Sequence, residues 1–270
     1  MNSDLAVIIP LHQYDKKRLD YAIESFLAQQ SKAKLFLSGP ASVLDKIQYP
    51  FAIKIIENED TSYQNLCNVA IKKIQEIEDI SWISILEYDD AYTKRAFTLF
   101  DNYRKAYSEM ELETKLWAGL TILIKDESRN TESQKMVGMV NEAMWAGGMA
   151  EEAGIFDLNA ILRNSFMFVN GCFIHKSVFE EVGYFKPSMK AFYDYEFAIR
   201  MIYNGIICRS IPKLTHKHYV REENSAQSTI KSMSEDERTF WLSMSKREYF
   251  YEEDRNVQYT KNEKEEEILG

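Results

Sequence analysis

Short apolar runs alternate with amphipathic stretches along the first 86 residues of the chain. The apolar runs are bounded by Pro, Gly or polar residues, which predicts buried strands. They lie at 5–10, 34–37, 52–56 and 81–86. The stretches around 19–27 and 62–78 place apolar residues three and four positions apart, which predicts helices. Strands that alternate with helices predict an α/β fold whose mainly parallel sheet is covered on both faces.

The second half of the chain has a less regular pattern. We expect strands at 116–125, 165–174 and 206–211, and a helix at 195–204. Residues 126–165 combine a polar loop with a stretch rich in Met, Gly and Ala. They predict mobile or helical lid elements.

Two further helix starts carry the spacing of a capping box. Ser177 precedes Glu180 by three positions, and Ser234 precedes Glu237 in the same way. Gly183 is placed to end the first of these helices. The second predicts a helical extension near the C-terminal end of the chain.

The composition is that of a globular protein with a substantial core. Of 270 residues, 45% are hydrophobic and 28% are charged, with 10 Gly and 5 Pro, which excludes a disordered or collagen-like chain. The three cysteines lack CxxC spacing, so we expect reduced, buried thiols. No signal peptide is visible, and no apolar stretch approaches the ~20 residues of a membrane span. We therefore expect a cytoplasmic protein with no transmembrane segment.

The net charge of −9 disfavours polyanionic partners, because nucleic acid and anionic lipid normally require a basic face. The acidity is uneven. Residues 252–270 hold seven acidic and three basic side chains, which predicts a solvated tail. Binding to nucleic acid remains possible through a local basic patch but is not favoured.

The sequence Glu87-Tyr88-Asp89-Asp90 follows the strand predicted at 81–86. Ligands of α/β sheets bind at the carboxyl ends of the strands. Carboxylates at such an end suit Mg²⁺ or Mn²⁺, which can bridge and neutralise a diphosphate. The alternative is an acidic turn that caps the next helix.

Three further groups of polar residues are candidates for chemistry. Asp194, at the start of a predicted helix, is either a cap or a general base. If the chain is extended there, His216 and His218 face the same side, and an imidazole could complete a metal site. A core or surface histidine is the alternative. Asn65 and Asn68, near the start of the helix at 62–78, suit nucleotide binding or are simple caps or surface residues.

In their order along the chain, several segments resemble those of the family 2-like glycosyltransferases with the GT-A fold. The resemblance covers about residues 4–225. Its segments are the opening LAVIIPLHQYDKKRLDYAIESFLAQ, NLCNVAI at 65–71, ISILEYDD with the acidic DxD-type motif, the stretch at 168–205, and HKHYVREENSAQS at 216–228. The stretch at 168–205 is the closest match, with a helix ending in EEVGYF and then an acidic–aromatic motif followed by Arg200.

The resemblance implies a GT-A type, Rossmann-like mixed, mainly parallel sheet flanked by helices, with a helical C-terminal extension. The transferase domain would span 1–230, with a donor half at about 1–100 and an acceptor half at about 101–230. Residues 231–270 would form the extension and the acidic tail.

The resemblance also implies an activity and a set of site residues. The chain would be an inverting hexosyl- or pentosyltransferase that uses a nucleotide-sugar donor, with a UDP-sugar favoured, and an acceptor with a free hydroxyl. Asp194 falls at the position of the catalytic base. Mn²⁺ or Mg²⁺ would be held by Asp89, Glu87 and His218. The nucleotide would be bound by Pro10, His12, Asn65, Asn68 and Asp90.

The sequence departs from the family pattern at four places. Pro10-Leu11-His12-Gln13 replaces an opening of the Pro-Thr-Tyr-Asn type, and Glu87 replaces the first Asp of the DxD motif. Leu37-Ser38-Gly39-Pro40 stands where relatives often carry an Asp that contacts the nucleoside, and Tyr193 stands where an acid precedes the base. Three alternatives stay open, and the substitutions at 11–13 and 38–40 bear on the last of them. The alternatives are a glycosyltransferase acting on modified bases in DNA, a nucleotidyltransferase, and a catalytically decayed module that binds a nucleotide or a sugar.

Overall fold

The computed structural model describes residues 3–110, 113–125, 135–141, 154–163, 169–220 and 233–246. Within these residues, nine strands form one mixed sheet in the order β3-β2-β1-β4-β8-β6-β9-β5, with β7 paired to β6. The strands are β1 (Leu5–Pro10), β2 (Lys34–Gly39), β3 (Ile53–Ile56), β4 (Trp82–Ile85), β5 (Ala91–Tyr92), β6 (Leu116–Lys125), β7 (Lys135–Val140), β8 (Phe173–His175) and β9 (Cys208–Val220).

The helices of the described residues flank this sheet. They are α1 (Lys16–Leu27), α2 (Ala41–Leu44), α3 (Tyr63–Gln75), α4 (Ala96–Glu109), α5 (Leu158–Arg163), α6 (Val178–Glu181), α7 (Tyr193–Tyr203) and α8 (Glu235–Lys246). None of the described helices is long and apolar enough to cross a membrane.

The first four strands confirm the predicted α/β pattern. β1 pairs in parallel with β2 and with β4, and β2 pairs in parallel with β3. Alternate residues of β1 face opposite layers of the core. Ala6 and Ile8 pack with α3 and α7, whereas Val7 and Ile9 pack with α1 and α4. Both faces of the sheet are therefore covered, and its carboxyl edge is left for ligands.

The second half of the sheet is mixed. β8 runs antiparallel to both β4 and β6, whereas β6 and β9 are parallel. The predicted strand at 206–211 is longer in the structure, because β9 continues alongside β6 as far as Val220. The prediction of a strand at 165–174 was wrong at 169–172, where a turn precedes β8, and residues 164–168 lie outside the described part.

The prediction of mobile or helical lid elements at 126–165 was wrong for 135–140. These residues form β7, an antiparallel partner of β6. Residues 158–163 are helical, as α5. Residues 126–134 and 142–153 lie outside the described residues, so the lid itself stays a prediction. The division into donor and acceptor halves also stays a prediction, and strands from both halves join the one sheet.

One of the two predicted capping boxes is confirmed. The Glu237 backbone N–H donates to Ser234 Oγ at 3.1 Å, and the Ser234 N–H donates to Glu237 Oε2 at 3.1 Å, at the start of α8. At Ser177 the predicted helix start is confirmed, because α6 begins at Val178, but the capping box does not form. The Ser177 hydroxyl makes no cap bond to α6 and instead lies 2.9 Å from His175 Nδ1. The helix does end before Gly183, as predicted, and this glycine has a positive φ of 81°.

Candidate active site

The acidic sequence 87–90 forms a turn between β4 and β5, at the carboxyl edge of the sheet. The Asp90 N–H donates to the Glu87 carbonyl at 3.0 Å, which closes the turn. Directly after it, Ala91 pairs with Lys217 of β9. This short pairing brings the turn against the histidines of β9, which the sequence predicted to face one side if the chain is extended there.

Asp90 is fully buried, and its carboxylate is contacted by three residues of β9. Its Oδ2 lies 2.9 Å from His218 Nδ1 and 3.4 Å from His216 Nε2, and its Oδ1 accepts the Tyr219 N–H at 3.0 Å. Burial alone would raise the pKa of this carboxyl, but the charge and hydrogen bonds of the two histidines hold the pKa well below its usual range. Burial lowers the pKa of His218, but Asp90 outweighs burial and raises the pKa to about 9. The pair is therefore ionic at neutral pH.

Glu87 lies in a different electrostatic environment. Burial raises the pKa of its carboxyl well above the ordinary value, and the charge of Asp90 raises it further. Asn170 Nδ2 donates to Glu87 Oε1 at 2.6 Å, and the hydroxyl of Tyr63 donates to Asn170 Oδ1 at 2.8 Å. A nearby positive charge would favour the ionised form of Glu87.

Glu87, Asp90 and His218 form the cluster of the described residues that fits a metal ion. One ligand atom from each lies within 4.8 Å of the others. Two carboxylates and one imidazole suit Mn²⁺, and the carboxylates also suit Mg²⁺. Asp89, which the sequence favoured as a ligand, is also buried and adds to the negative charge acting on Glu87, but the cluster contains Asp90 in its place.

Asp194 lies in the first turn of α7, close enough to the cluster for the charges to interact. Burial raises the pKa of Asp194 to about 6, against the lowering effects of the Tyr195 N–H, which donates to its Oδ1 at 2.9 Å, and of His218. The residue before α7, Phe192, has a left-handed φ of 57°, and no side chain caps the helix there. Asp194 is therefore not the N-cap residue, although its carboxylate accepts a free N–H of the first turn, and its pKa suits a general base near neutral pH.

The residues predicted to bind the nucleotide are spread along the same edge. Pro10 ends β1 opposite Ser38 of β2. His12 is exposed, and its ring contacts the edge of Tyr88, within the acidic turn. Asn65 donates to the Asp60 carbonyl at 2.8 Å, in the loop before α3.

Asn68 has a different environment. It is buried, and its amide exchanges two hydrogen bonds with the backbone of Phe185, at 2.8 and 3.0 Å. These bonds join α3 to the segment before α7. A role of Asn68 in nucleotide binding stays a prediction.

Arg200, the recurrent arginine of the resemblance, holds the same segment. It forms a two-pronged ion pair with Glu196 at 2.8 and 3.0 Å and donates to the carbonyls of Val182 and Tyr184. These bonds connect α7 to the turn that follows α6. Arg200 therefore fixes the helix that carries Asp194.

The sequence analysis missed Tyr63, Asn170 and Gly171. The pair Asn170-Gly171 is a turn signal that was available, and the structure has a turn there. The contact between Asn170 and Glu87 joins positions 83 residues apart, so no local pattern could reveal it.

Solved structures supply the comparison, because no family model and no curated protein matches the chain. The crystal structure of S. aureus TarS 1–349 in complex with UDP-GlcNAc superposes with a TM-score of 0.59 at 13% identity, over 90% of this chain. The structure of the same fragment with UDP superposes with a TM-score of 0.54, over 93% of this chain. The fold is GT-A-like. This chain spans 66% of the TarS fragment in the first comparison, and 44% of a longer TarS chain. In this GT-A-like fold, the cluster of Glu87, Asp90 and His218 lies at the carboxyl edge of the sheet, where α/β folds bind their ligands.

Proposed function

We propose that this protein is a metal-dependent, inverting glycosyltransferase that transfers a sugar from a nucleotide-sugar to an acceptor hydroxyl. The observation that carries the proposal is the joint placement of two features. A largely buried cluster of Glu87, Asp90 and His218 lies at the carboxyl edge of a GT-A-like sheet, and Asp194, a carboxyl with a raised pKa, lies nearby. A cation held by the cluster would stabilise the leaving group, and Asp194 would take the proton from the nucleophile.

The cluster fits a divalent cation by the chemistry of its donors. Glu87 and Asp90 would supply oxygen ligands, and His218 would supply a nitrogen ligand once its imidazolium has lost a proton to the incoming cation. Asp89 lies in the same turn. A bound Mn²⁺ or Mg²⁺ would neutralise the charge that develops on the departing diphosphate. A bound cation would also reduce the repulsion between the carboxylates of the site and an anionic donor.

Asp194 acts as the general base in the proposed reaction. Its carboxylate takes the proton of the acceptor hydroxyl while the oxygen attacks the anomeric carbon of the donor sugar. The new C–O bond forms on the face opposite the leaving group, and the bond between the anomeric carbon and the nucleoside diphosphate breaks. One displacement inverts the anomeric configuration.

The donor is proposed to be a uridine diphosphate sugar. The TarS structures were solved with UDP-GlcNAc and with UDP, which supports this choice of nucleotide. Pro10, His12 and Asn65, and by resemblance Asn68, are the residues proposed to line the nucleotide pocket.

The test is a panel of nucleotide-sugars incubated with the protein and Mn²⁺, Mg²⁺ or EDTA, with the released nucleoside diphosphate as the readout. We expect cation-dependent release from at least one UDP-sugar, because water can replace the acceptor hydroxyl at a slow rate when no acceptor is present. Release that EDTA leaves unchanged would contradict the metal dependence. If no donor is turned over and none binds in the presence of Mn²⁺, the proposed activity is wrong.

A further inference from the structure

Asn170 forms a buried bridge between Glu87 and Tyr63. Its side-chain N–H donates to Glu87 Oε1 at 2.6 Å, and its carbonyl oxygen accepts from the Tyr63 hydroxyl at 2.8 Å. The residue is only 6% exposed. The hydroxyl of Tyr63 determines the orientation of the Asn170 amide. Because this hydroxyl donates to the amide oxygen, the amide N–H group faces the Glu87 carboxylate.

The backbone around Asn170 is held by two strands of the site. The Gly171 N–H donates to the Ile85 carbonyl at 2.7 Å, so the turn is fixed to the end of β4. Gly171 has a φ of 76°, and a Cβ at this position would lie 2.5 Å from Cγ of His216. The turn therefore fits between the acidic turn and β9, with no space for it to shift toward the histidine.

We infer that Asn170 is a positioning residue that orients the carboxylate of Glu87 toward the cation site. The hydrogen bond from Asn170 is made to Oε1 of Glu87, so Oε2 is the carboxylate oxygen that Asn170 does not contact. This inference rests on the proposed function, since it assigns a role within the same cation site. Residues that hold a metal ligand in this way change metal affinity when they are removed, typically by 10- to 100-fold.

The experiment measures Mn²⁺ binding to the purified full chain by isothermal titration calorimetry, without donor or acceptor. Asn170→Ala is expected to weaken Mn²⁺ binding by about 10- to 100-fold. Tyr63→Phe removes only the hydroxyl that orients the amide, and it is expected to weaken binding about fivefold, the value of one hydrogen bond. This milder variant keeps the test valid if Asn170→Ala does not fold.

The matched control is Gln64→Ala. Gln64 is another buried amide of the same region, and it donates to the Met189 carbonyl at 2.6 Å rather than to Glu87. Its removal is expected to lower the melting temperature while Mn²⁺ affinity stays within twofold of the wild type. A loss of affinity in this variant as large as that in Asn170→Ala would mean that Asn170 acts only through stability.

A double-mutant cycle separates positioning from a general effect on the pocket. In a Glu87→Ala background, Asn170→Ala is expected to cause no further loss of Mn²⁺ affinity, because the ligand it orients is gone. An undiminished effect in that background, or wild-type affinity in both Asn170→Ala and Tyr63→Phe, would overturn the inference. Failure of the wild type itself to bind Mn²⁺ would instead contradict the proposed function.

Discussion

Nδ1 of His218 lies 2.9 Å from Oδ2 of Asp90, and this contact joins positions 128 residues apart. It fixes β9 against the turn after β4 and gives Asp90 an ionic partner in the core of the site. Asp90 thereby occupies the position in the cluster that the sequence assigned to Asp89. The two neighbouring carboxylates can be distinguished by experiment.

Asp90→Asn is expected to weaken Mn²⁺ binding by about 100-fold or more, because a charged cluster ligand becomes a neutral amide. Asp89→Asn is expected to weaken it less than about tenfold, since it removes a nearby charge without removing a member of the cluster. Titration calorimetry of both variants provides the measurement. The reverse order of the two effects would return Asp89 to the ligand set and exclude Asp90 from it.

Asp194→Asn is expected to lower kcat for sugar transfer by about 10²- to 10⁴-fold, the usual contribution of a general base. The amide has nearly the same shape but cannot take the acceptor proton. Binding of Mn²⁺ and of UDP should stay within a few fold of the wild type, as measured by calorimetry. Transfer near the wild-type rate in this variant would show that another group is the base.

The pKa of Asp194 predicts the acid limb of the pH–rate profile. Burial raises this pKa to about 6, and the base works only when it is ionised. We therefore expect kcat/KM to fall tenfold per pH unit on the acid side, with the midpoint at or below this value because a bound cation would lower the pKa of the carboxyl. The residual activity of Asp194→Asn should lack this limb. The same limb in both proteins would assign the titration to a different group.

The first four strands and the acidic turn could be predicted from the sequence because their signals are local. Buried strands of a parallel sheet are short apolar runs, and their carboxyl ends mark the ligand edge. The sequence predicted that His216 and His218 face the same side if the chain is extended there. β9 is extended, and both histidines lie against Asp90.

The remaining features depend on tertiary contacts. The two-residue strand β5 is too short to leave a periodic signal, and its pairing with β9 decides which aspartate meets the histidines. Ser177 has the spacing of a cap, but its hydroxyl has an alternative partner in His175. Asn170 carries only a turn signal, and its role follows from a carboxylate 83 positions earlier.

Gly171 and Gly205 provide a matched pair of glycines, with φ of 76° and 77°. A Cβ at Gly205 meets no atom within 4 Å, whereas a Cβ at Gly171 would lie 2.5 Å from the His216 ring. Gly205→Ala should therefore lower the free energy of unfolding by about 1 kcal/mol, the cost of the left-handed conformation alone. Gly171→Ala adds overpacking against a buried ring, so we expect a loss of about 3 kcal/mol.

The two variants also separate backbone strain from an effect on the site. Urea denaturation of the metal-free protein measures the stability, and calorimetry measures Mn²⁺ affinity. Gly171→Ala should weaken Mn²⁺ binding, because displacement of the His216 ring disturbs Asp90, which His216 contacts at 3.4 Å. Gly205→Ala should leave Mn²⁺ affinity unchanged. Equal losses of stability in both variants would mean that the turn at Gly171 can yield, and that the contact with His216 does not fix it in place.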